Sequence, residues 1–166
     1  GYTGLGPDKK RVPTLLDIAK SEGKSTGLIN DHDVTNATLA AFGGPVINRD
    51  WKVAIAQKLI HNGKVDVLMG GNEKYWYPKG NPGKIPDKVE GEDESEGKTN
   101  LVAKAKSIGY QYAYDKKTVA ALTGPKILAL VQDSAKRRWE ELPGYKYKKD
   151  PNYVPVKDMV TKALSV

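Results

Sequence analysis

The chain contains no cysteine. Disulfides, thiolate metal sites and a cysteine nucleophile are therefore excluded, but the compartment stays open, because many secreted proteins also lack cysteine. Histidine is nearly as scarce, with only His32 and His61 in 166 residues. Long apolar runs are missing as well. The longest are five or six residues, far short of the roughly 20 that span a bilayer. The first residues, Gly1-Tyr2-Thr3-Gly4, are neither basic nor apolar, so no signal peptide is expected in this stretch. What remains suffices for an ordinary core: 39% of the residues are hydrophobic and 28% charged. The length is that of one domain, and residues 1–166 are read as a single unit.

The net charge of +7 is uneven. Residues 1–80 carry a net +3, residues 81–100 a net −3 and residues 101–166 a net +7. A basic surface attracts anions, including nucleic acid and phosphate esters, without choosing among them. No nucleic-acid recognition motif accompanies the charge.

Punctuation by glycine, proline and capping residues divides the chain into alternating elements. Residues 1–11 read as a loop. Pro13 opens a helix with Leu15, Leu16 and Ala19 as its apolar face, stopped at Gly23. Ser25 to Ile29 reads as a buried strand ending in the polar cluster Asn30 to Asp33. A helix follows over Ala37 to Phe42. Another is capped by Asn48, with Trp51, Ile55, Ala56, Leu59 and Ile60 at helical spacing and His61 at its end. Val65 to Met69 is a second strand. Residues 72–98 read as a long surface excursion, with Tyr75, Trp76 and Tyr77 folding it back onto the core. Its acidic run, Glu90 to Glu96, is a solvated stretch or, alternatively, a calcium loop.

Then the alternation resumes: helix 100–107, strand 110–114, helix 116–122, strand 126–131. Residues 133–153 are basic and aromatic and read as a helix and solvated loop. A final helix, Val156 to Leu164, turns Met159, Val160 and Ala163 inward. Helices alternating with short continuous apolar strands predict an α/β fold, a three-layer αβα arrangement around a mostly parallel sheet. Ligands in such folds bind beyond the carboxyl ends of the strands, so the segment after the first strand is where chemistry is expected. The glycines of Gly4-Leu5-Gly6 follow no strand, which weakens any phosphate-loop reading.

That segment, Asn30-Asp31-His32-Asp33-Val34-Thr35-Asn36-Ala37-Thr38, is dense in oxygen and nitrogen donors. Two readings stand. Asn36 and Thr38 suit a helix start, and Asp31 and Asp33 suit a turn. The same oxygens suit a hard cation such as magnesium. Arg49 also has two readings, a solvent-facing salt bridge or a planar fork gripping phosphate near a helix N-terminus.

A wider pattern bears on these alternatives. The run Val12-Pro13-Thr14-Leu15-Leu16-Asp17-Ile18-Ala19-Lys20 is followed by Gly23-Lys24-Ser25-Thr26-Gly27-Leu28-Ile29. Next come Val34-Thr35-Asn36-Ala37-Thr38-Leu39-Ala40-Ala41-Phe42, Asn48-Arg49-Asp50-Trp51 and Ile55-Ala56-Gln57 with Leu59-Ile60. Val65-Asp66-Val67-Leu68-Met69-Gly70-Gly71, Lys74-Tyr75, Lys98-Thr99-Asn100-Leu101-Val102 and the helix Met159 to Leu164 complete the set. In order and spacing the set resembles the alkaline phosphatases, weakening over 81–97 and 133–153.

The resemblance implies a phosphate monoester hydrolase with two zinc ions, one magnesium ion and a serine nucleophile that becomes phosphorylated. By position it implies that Thr38 is a magnesium ligand and that Arg49 grips the phosphate and stabilises transition-state charge. Asn36 falls where the family usually has aspartate or histidine, which implies a weaker or water-mediated magnesium contact. The family's nucleophile region would precede this stretch and most of its Asp and His zinc ligands would follow it. A catalytic zinc site needs about three protein ligands, and His32 and His61 do not supply them. The expectation is therefore an internal segment of a larger phosphatase, inactive alone, with a secreted, periplasmic or cell-surface location. Its expected partners are the phosphate monoester and the remainder of the phosphatase chain, and exposed sheet edges would favour self-association. Two alternatives remain: a non-catalytic anion- or nucleic-acid-binding module using residues 101–166, and a small enzyme working through Asp31, His32 and Asp33.

Overall fold

A computed structural model describes residues 2–61, 63–85, 98–132 and 152–166. Among these residues four strands form one sheet: β1 (Gly27–Asp33), β2 (Val67–Gly71), β3 (Gln111–Ala113) and β4 (Ile127–Gln132). The order is β1-β2-β4-β3, and every pairing is parallel. Among the described residues six α-helices accompany it: α1 (Leu15–Ser21), α2 (Ala37–Gly43), α3 (Lys52–His61), α4 (Leu101–Ser107), α5 (Lys116–Ala120) and α6 (Val156–Ala163).

The side-chain alternation of the strands decides the layers. Leu28, Leu68, Leu128 and Leu130 share one core with Leu39 and Ala40 of α2, with Ile55, Ala56, Leu59 and Ile60 of α3, and with Leu101, Val102 and Ala105 of α4. Val67, Met69, Ala113, Ile127, Ala129 and Val131 point the other way, onto Val119 of α5 and Met159 of α6. Both faces of the sheet are covered, which is the three-layer arrangement expected.

Some boundaries and faces differ from the sequence expectations. β1 starts at Gly27 rather than Ser25, because the Thr26 N–H and hydroxyl are drawn to the Asp66 carboxylate. Residues Asn30 to Asp33 continue β1 rather than leaving it, through a bulge in its register with β2. Helix α1 starts at Leu15 behind a Thr14–Asp17 capping box. Thr14 also bonds the Phe42 carbonyl, which sets the helix rotation. Leu16 is then buried, whereas Leu15 is 70% exposed and leaves the expected apolar face. Helix α3 starts at Lys52. Asn48 caps the preceding turn by accepting from Asp50 N–H, and Trp51 is exposed. In α6, Met159 is buried but Val160 is 38% exposed.

The excursion at 72–98 begins with a buried 3-10 turn, Glu73–Trp76, in which Tyr75 and Trp76 pack into the core as expected. The Glu73 carboxylate accepts the N–H groups of Lys84 and Ile85 at 2.8 Å and the Tyr112 hydroxyl. Burial, then the Glu73 charge, hold the Tyr112 hydroxyl well above its usual range. The acidic run Glu90 to Glu96 and the basic residues 133–150 lie outside the described residues. At the other end of the sheet, Asp17 bonds Lys64 and Arg11. Lys64 is the main reason that the Asp17 carboxyl lies far below the ordinary carboxylate range.

The β1 bulge depends on Gly70. A Cβ there would fall 2.4 Å from Asn30 Oδ1, 2.7 Å from Val34 Cγ1 and 2.9 Å from the His32 carbonyl. Gly70→Ala should therefore lower unfolding free energy by about 1–3 kcal/mol, the usual range for overpacking. Gly27→Ala, whose Cβ meets only Val67 at 3.5 Å, should change it by less than about 0.5 kcal/mol. Urea denaturation of both variants checks the contrast.

Candidate functional site

The carboxyl end of β1 reaches the bulge over Gly70 and turns at Asp33. Asp33 is 4% exposed and Thr35 fully buried. One carboxylate oxygen of Asp33 accepts both the Thr35 N–H and the Thr35 hydroxyl, each at 2.6 Å. The Asp33 carbonyl accepts from Asn36 N–H at 3.1 Å and from Asn30 Nδ2 at 3.1 Å. Val34 N–H bonds the Gly71 carbonyl at 3.2 Å, fastening the turn to the end of β2.

The second oxygen of Asp33 faces Lys52, 3.4 Å away, in an ion pair whose lysine side chain is 13% exposed and whose aspartate side chain is 5% exposed. The Lys52 ammonium also donates to the Thr35 carbonyl at 3.2 Å. Lys52 opens α3, so this contact sets the first turn of α3 against the turn that leads into α2. Both helix starts thus face the carboxyl edge of the sheet, where ligands bind in parallel α/β folds.

The expected site residues lie at or just before the starts of these two helices. Asn36 is the N-cap of α2, its side-chain oxygen accepting from Leu39 N–H at 3.1 Å. Thr38 lies in the first turn of α2 and is exposed. Arg49 is exposed in the segment entering α3, three residues before Lys52. That segment is folded by Asn48: its side chain accepts from Asp50 N–H at 2.9 Å and its carbonyl from Trp51 N–H at 3.2 Å.

The small-enzyme alternative fares differently. Asp33 has both oxygens engaged by Thr35 and Lys52, and His32 Nδ1 accepts from the Asp33 N–H. A buried carboxylate neutralised by a lysine is a structural hub, not a free base beside a histidine. His61, at the end of α3, bonds the Gln57 carbonyl one turn back, at 2.8 Å, as its position suggested.

The donors can be tested against the metals. The Thr38 hydroxyl and the Asn36 amide oxygen are hard, neutral oxygens of the kind magnesium takes. They fit as a minority of its octahedron, with Asn36 sharing its oxygen with the helix cap. Among the described residues no group of three His, Asp or Glu side chains could hold a metal ion, so they do not form a zinc site. Sequence reasoning missed Lys52 and the buried Thr35. The pattern Asp33-Val34-Thr35 carried a local turn signal, but nothing near Lys52 announced its partner.

Fold and edge together define an α/β protein whose loops after the parallel strands carry the candidate chemistry. The alkaline phosphatase family model matches residues 1–166, and the chain belongs to the alkaline phosphatase family. It is 30% identical over 136 residues to alkaline phosphatase 4 of Bacillus subtilis, covering 78% of this chain and 26% of that protein. Its backbone is similar to the Thermus thermophilus alkaline phosphatase, with a TM-score of 0.73 at 22% identity, over 99% of this chain and 31% of that one. It is also similar to a magnesium-bound variant of the alkaline phosphatase of the Antarctic bacterium TAB5, with a TM-score of 0.67 at 20% identity, covering 99% of this chain and 41% of that one. At such identities the structural likenesses bear on the fold alone. The chain spans about a quarter of the length of the Bacillus relative.

The turn makes distinct energetic predictions. Asp33→Ala leaves the Lys52 ammonium buried without its counter-charge and should cost about 3–5 kcal/mol. Asn36→Ala removes one helix cap and should cost about 1 kcal/mol, whereas Asn36→Asp keeps the acceptor and should stay within about 0.5 kcal/mol. Urea unfolding midpoints at neutral pH separate the three.

Proposed function

We propose that this chain is an internal segment of an alkaline phosphatase whose whole protein hydrolyses phosphate monoesters, transferring the phosphoryl group to a serine and then to water. The family match across residues 1–166 carries the reading. In it, Arg49 binds the substrate's phosphate. A guanidinium presents parallel N–H donors to two phosphate oxygens and keeps its charge at any working pH. Its exposure leaves those donors free of burial, and the neighbouring start of α3 adds a favourable dipole for an anion. Charge that builds on the equatorial oxygens during transfer strengthens both effects, so Arg49 assists the transition state more than the ground state.

Thr38, with Asn36 beside it, would hold magnesium from one side. The ion would supply positive charge and ordered water near the reacting phosphate. Because Asn36 is neutral where the family usually has aspartate or histidine, it would contribute little Coulombic attraction, and Thr38 is the firmer ligand of the two. The zinc ligands and the nucleophile would come from the remainder of the phosphatase chain. The magnesium-bound TAB5 structure supports a metal-dependent reading. No helix among the described residues is long and apolar enough to cross a membrane, and the family resemblance supports export to the periplasm, the medium or the cell surface. The outer edges of β1 and β3 have no strand partner within the described sheet, which supports self-association of the isolated segment.

Two measurements test this. In the whole protein, Arg49→Ala should lower kcat/KM for an aryl phosphate by about 100-fold, the usual order for one charge-stabilising donor, and weaken inhibition by inorganic phosphate while the unfolding midpoint stays put. Unchanged phosphate inhibition and kcat/KM would remove Arg49 from the site. The purified 166-residue chain, supplied with zinc and magnesium, should release no phosphate from p-nitrophenyl phosphate. Metal-dependent release would refute the segment reading.

A further inference from the structure

Lys52 is a basic side chain left only 13% exposed at the edge of the sheet, three residues from an exposed arginine. Packing alone does not account for it, since an apolar residue of similar volume usually serves a buried position as well as an ion pair does. Its two partners are informative. Asp33 anchors the turn at the end of β1, and the Thr35 carbonyl belongs to the residue just before the α2 N-cap. Helix α2 is only seven residues long, too short to hold its own orientation without tertiary support. Its start is fixed instead by the Asp33 bonds to Thr35, the Val34–Gly71 bond and the lysine.

The lysine is the one of these constraints that comes from α3. Lys52 N–H bonds the Asp50 carbonyl at 2.8 Å, continuing the folded segment 48–51 that carries Arg49. One side chain therefore joins the turn bearing Asn36 and Thr38 to the segment bearing Arg49. We infer that Lys52 is a positioning residue of the site: wedged between Asp33 and Thr35, its ammonium fixes the Thr38 and Asn36 oxygens relative to the Arg49 guanidinium. This rests on the reading of Thr38 and Arg49 given above. Groups that orient a metal-side or phosphate-side residue commonly matter about 10–100-fold to affinity or rate without touching the ligand. The whole phosphatase containing this chain would therefore lose magnesium affinity and kcat when the ammonium is removed. Its KM would be spared, because Arg49 itself remains.

The test compares Lys52→Met, Lys52→Arg, Thr38→Ala and Arg49→Ala in the whole protein. Magnesium binding to metal-stripped protein is measured by calorimetry, amide exchange is followed over residues 33–39, and kcat and KM are measured with p-nitrophenyl phosphate. Lys52→Met should weaken magnesium binding about tenfold, speed exchange over 33–39, and lower kcat with KM within about twofold of the parent. Lys52→Arg, which keeps charge and donors, should recover most of the magnesium affinity. If Lys52→Met gives no cooperative unfolding transition, Lys52→Gln is judged by the same limits. Wild-type magnesium binding and exchange in the lysine variant, alongside weakened binding in Thr38→Ala, would overturn the inference alone. Wild-type magnesium binding in Thr38→Ala would overturn the metal reading beneath it, and an undiminished kcat/KM in Arg49→Ala would overturn the phosphate reading.

Discussion

The carboxylate of Asp33 ends one strand, starts one turn and meets one helix. It is buried, and each oxygen has its own partners: the Thr35 N–H and hydroxyl on one, the Lys52 ammonium facing the other. Desolvating such a charge is expensive unless it is paired and hydrogen-bonded. Satisfying it requires that β1 bulge over Gly70, that the turn close at Thr35, and that α3 begin where its first side chain can reach back. The geometry of the carboxyl edge follows from that set of demands.

The edge then inherits its chemistry from position. Parallel strands with helices on both faces cover the middle of the sheet, and the loops at the strand ends are free to carry polar residues that the core cannot accept. Thr38 and Arg49 are exposed, while Asp33, Thr35 and Lys52, which bond one another between the two segments, are largely covered. Asn36 caps α2, a task an amide oxygen performs as well as a carboxylate.

The fold was largely legible because its signals are local. Apolar runs such as Val67 to Met69 and Ile127 to Val131 have no polar face to offer and so belong between two helical layers. Asn36, Asn100 and Asp115 cap helices where short polar side chains precede helical spacing. Exposure at the margins was less legible. Leu15 and Trp51 look like core residues by type, yet the Thr14–Phe42 bond turns one outward and the Asn48 turn leaves the other before the helix. Hydrophobicity says that a residue gains by burial, not that a neighbour exists to bury it.

By itself the sequence determined that this chain folds as alternating helices and parallel strands, and its ordered pattern of short motifs carried the alkaline phosphatase resemblance, with Thr38 and Arg49 as the residues to watch. Only the tertiary structure decided that Asp33 is a support rather than a base, that Gly70 must lack a side chain, and that Lys52 bridges two segments. The reason is distance along the chain. A cap or a strand is written within a few neighbouring residues, whereas the meeting of Lys52 with Asp33, or of Gly70 with Asn30, exists only after β1, β2 and α3 have been laid side by side.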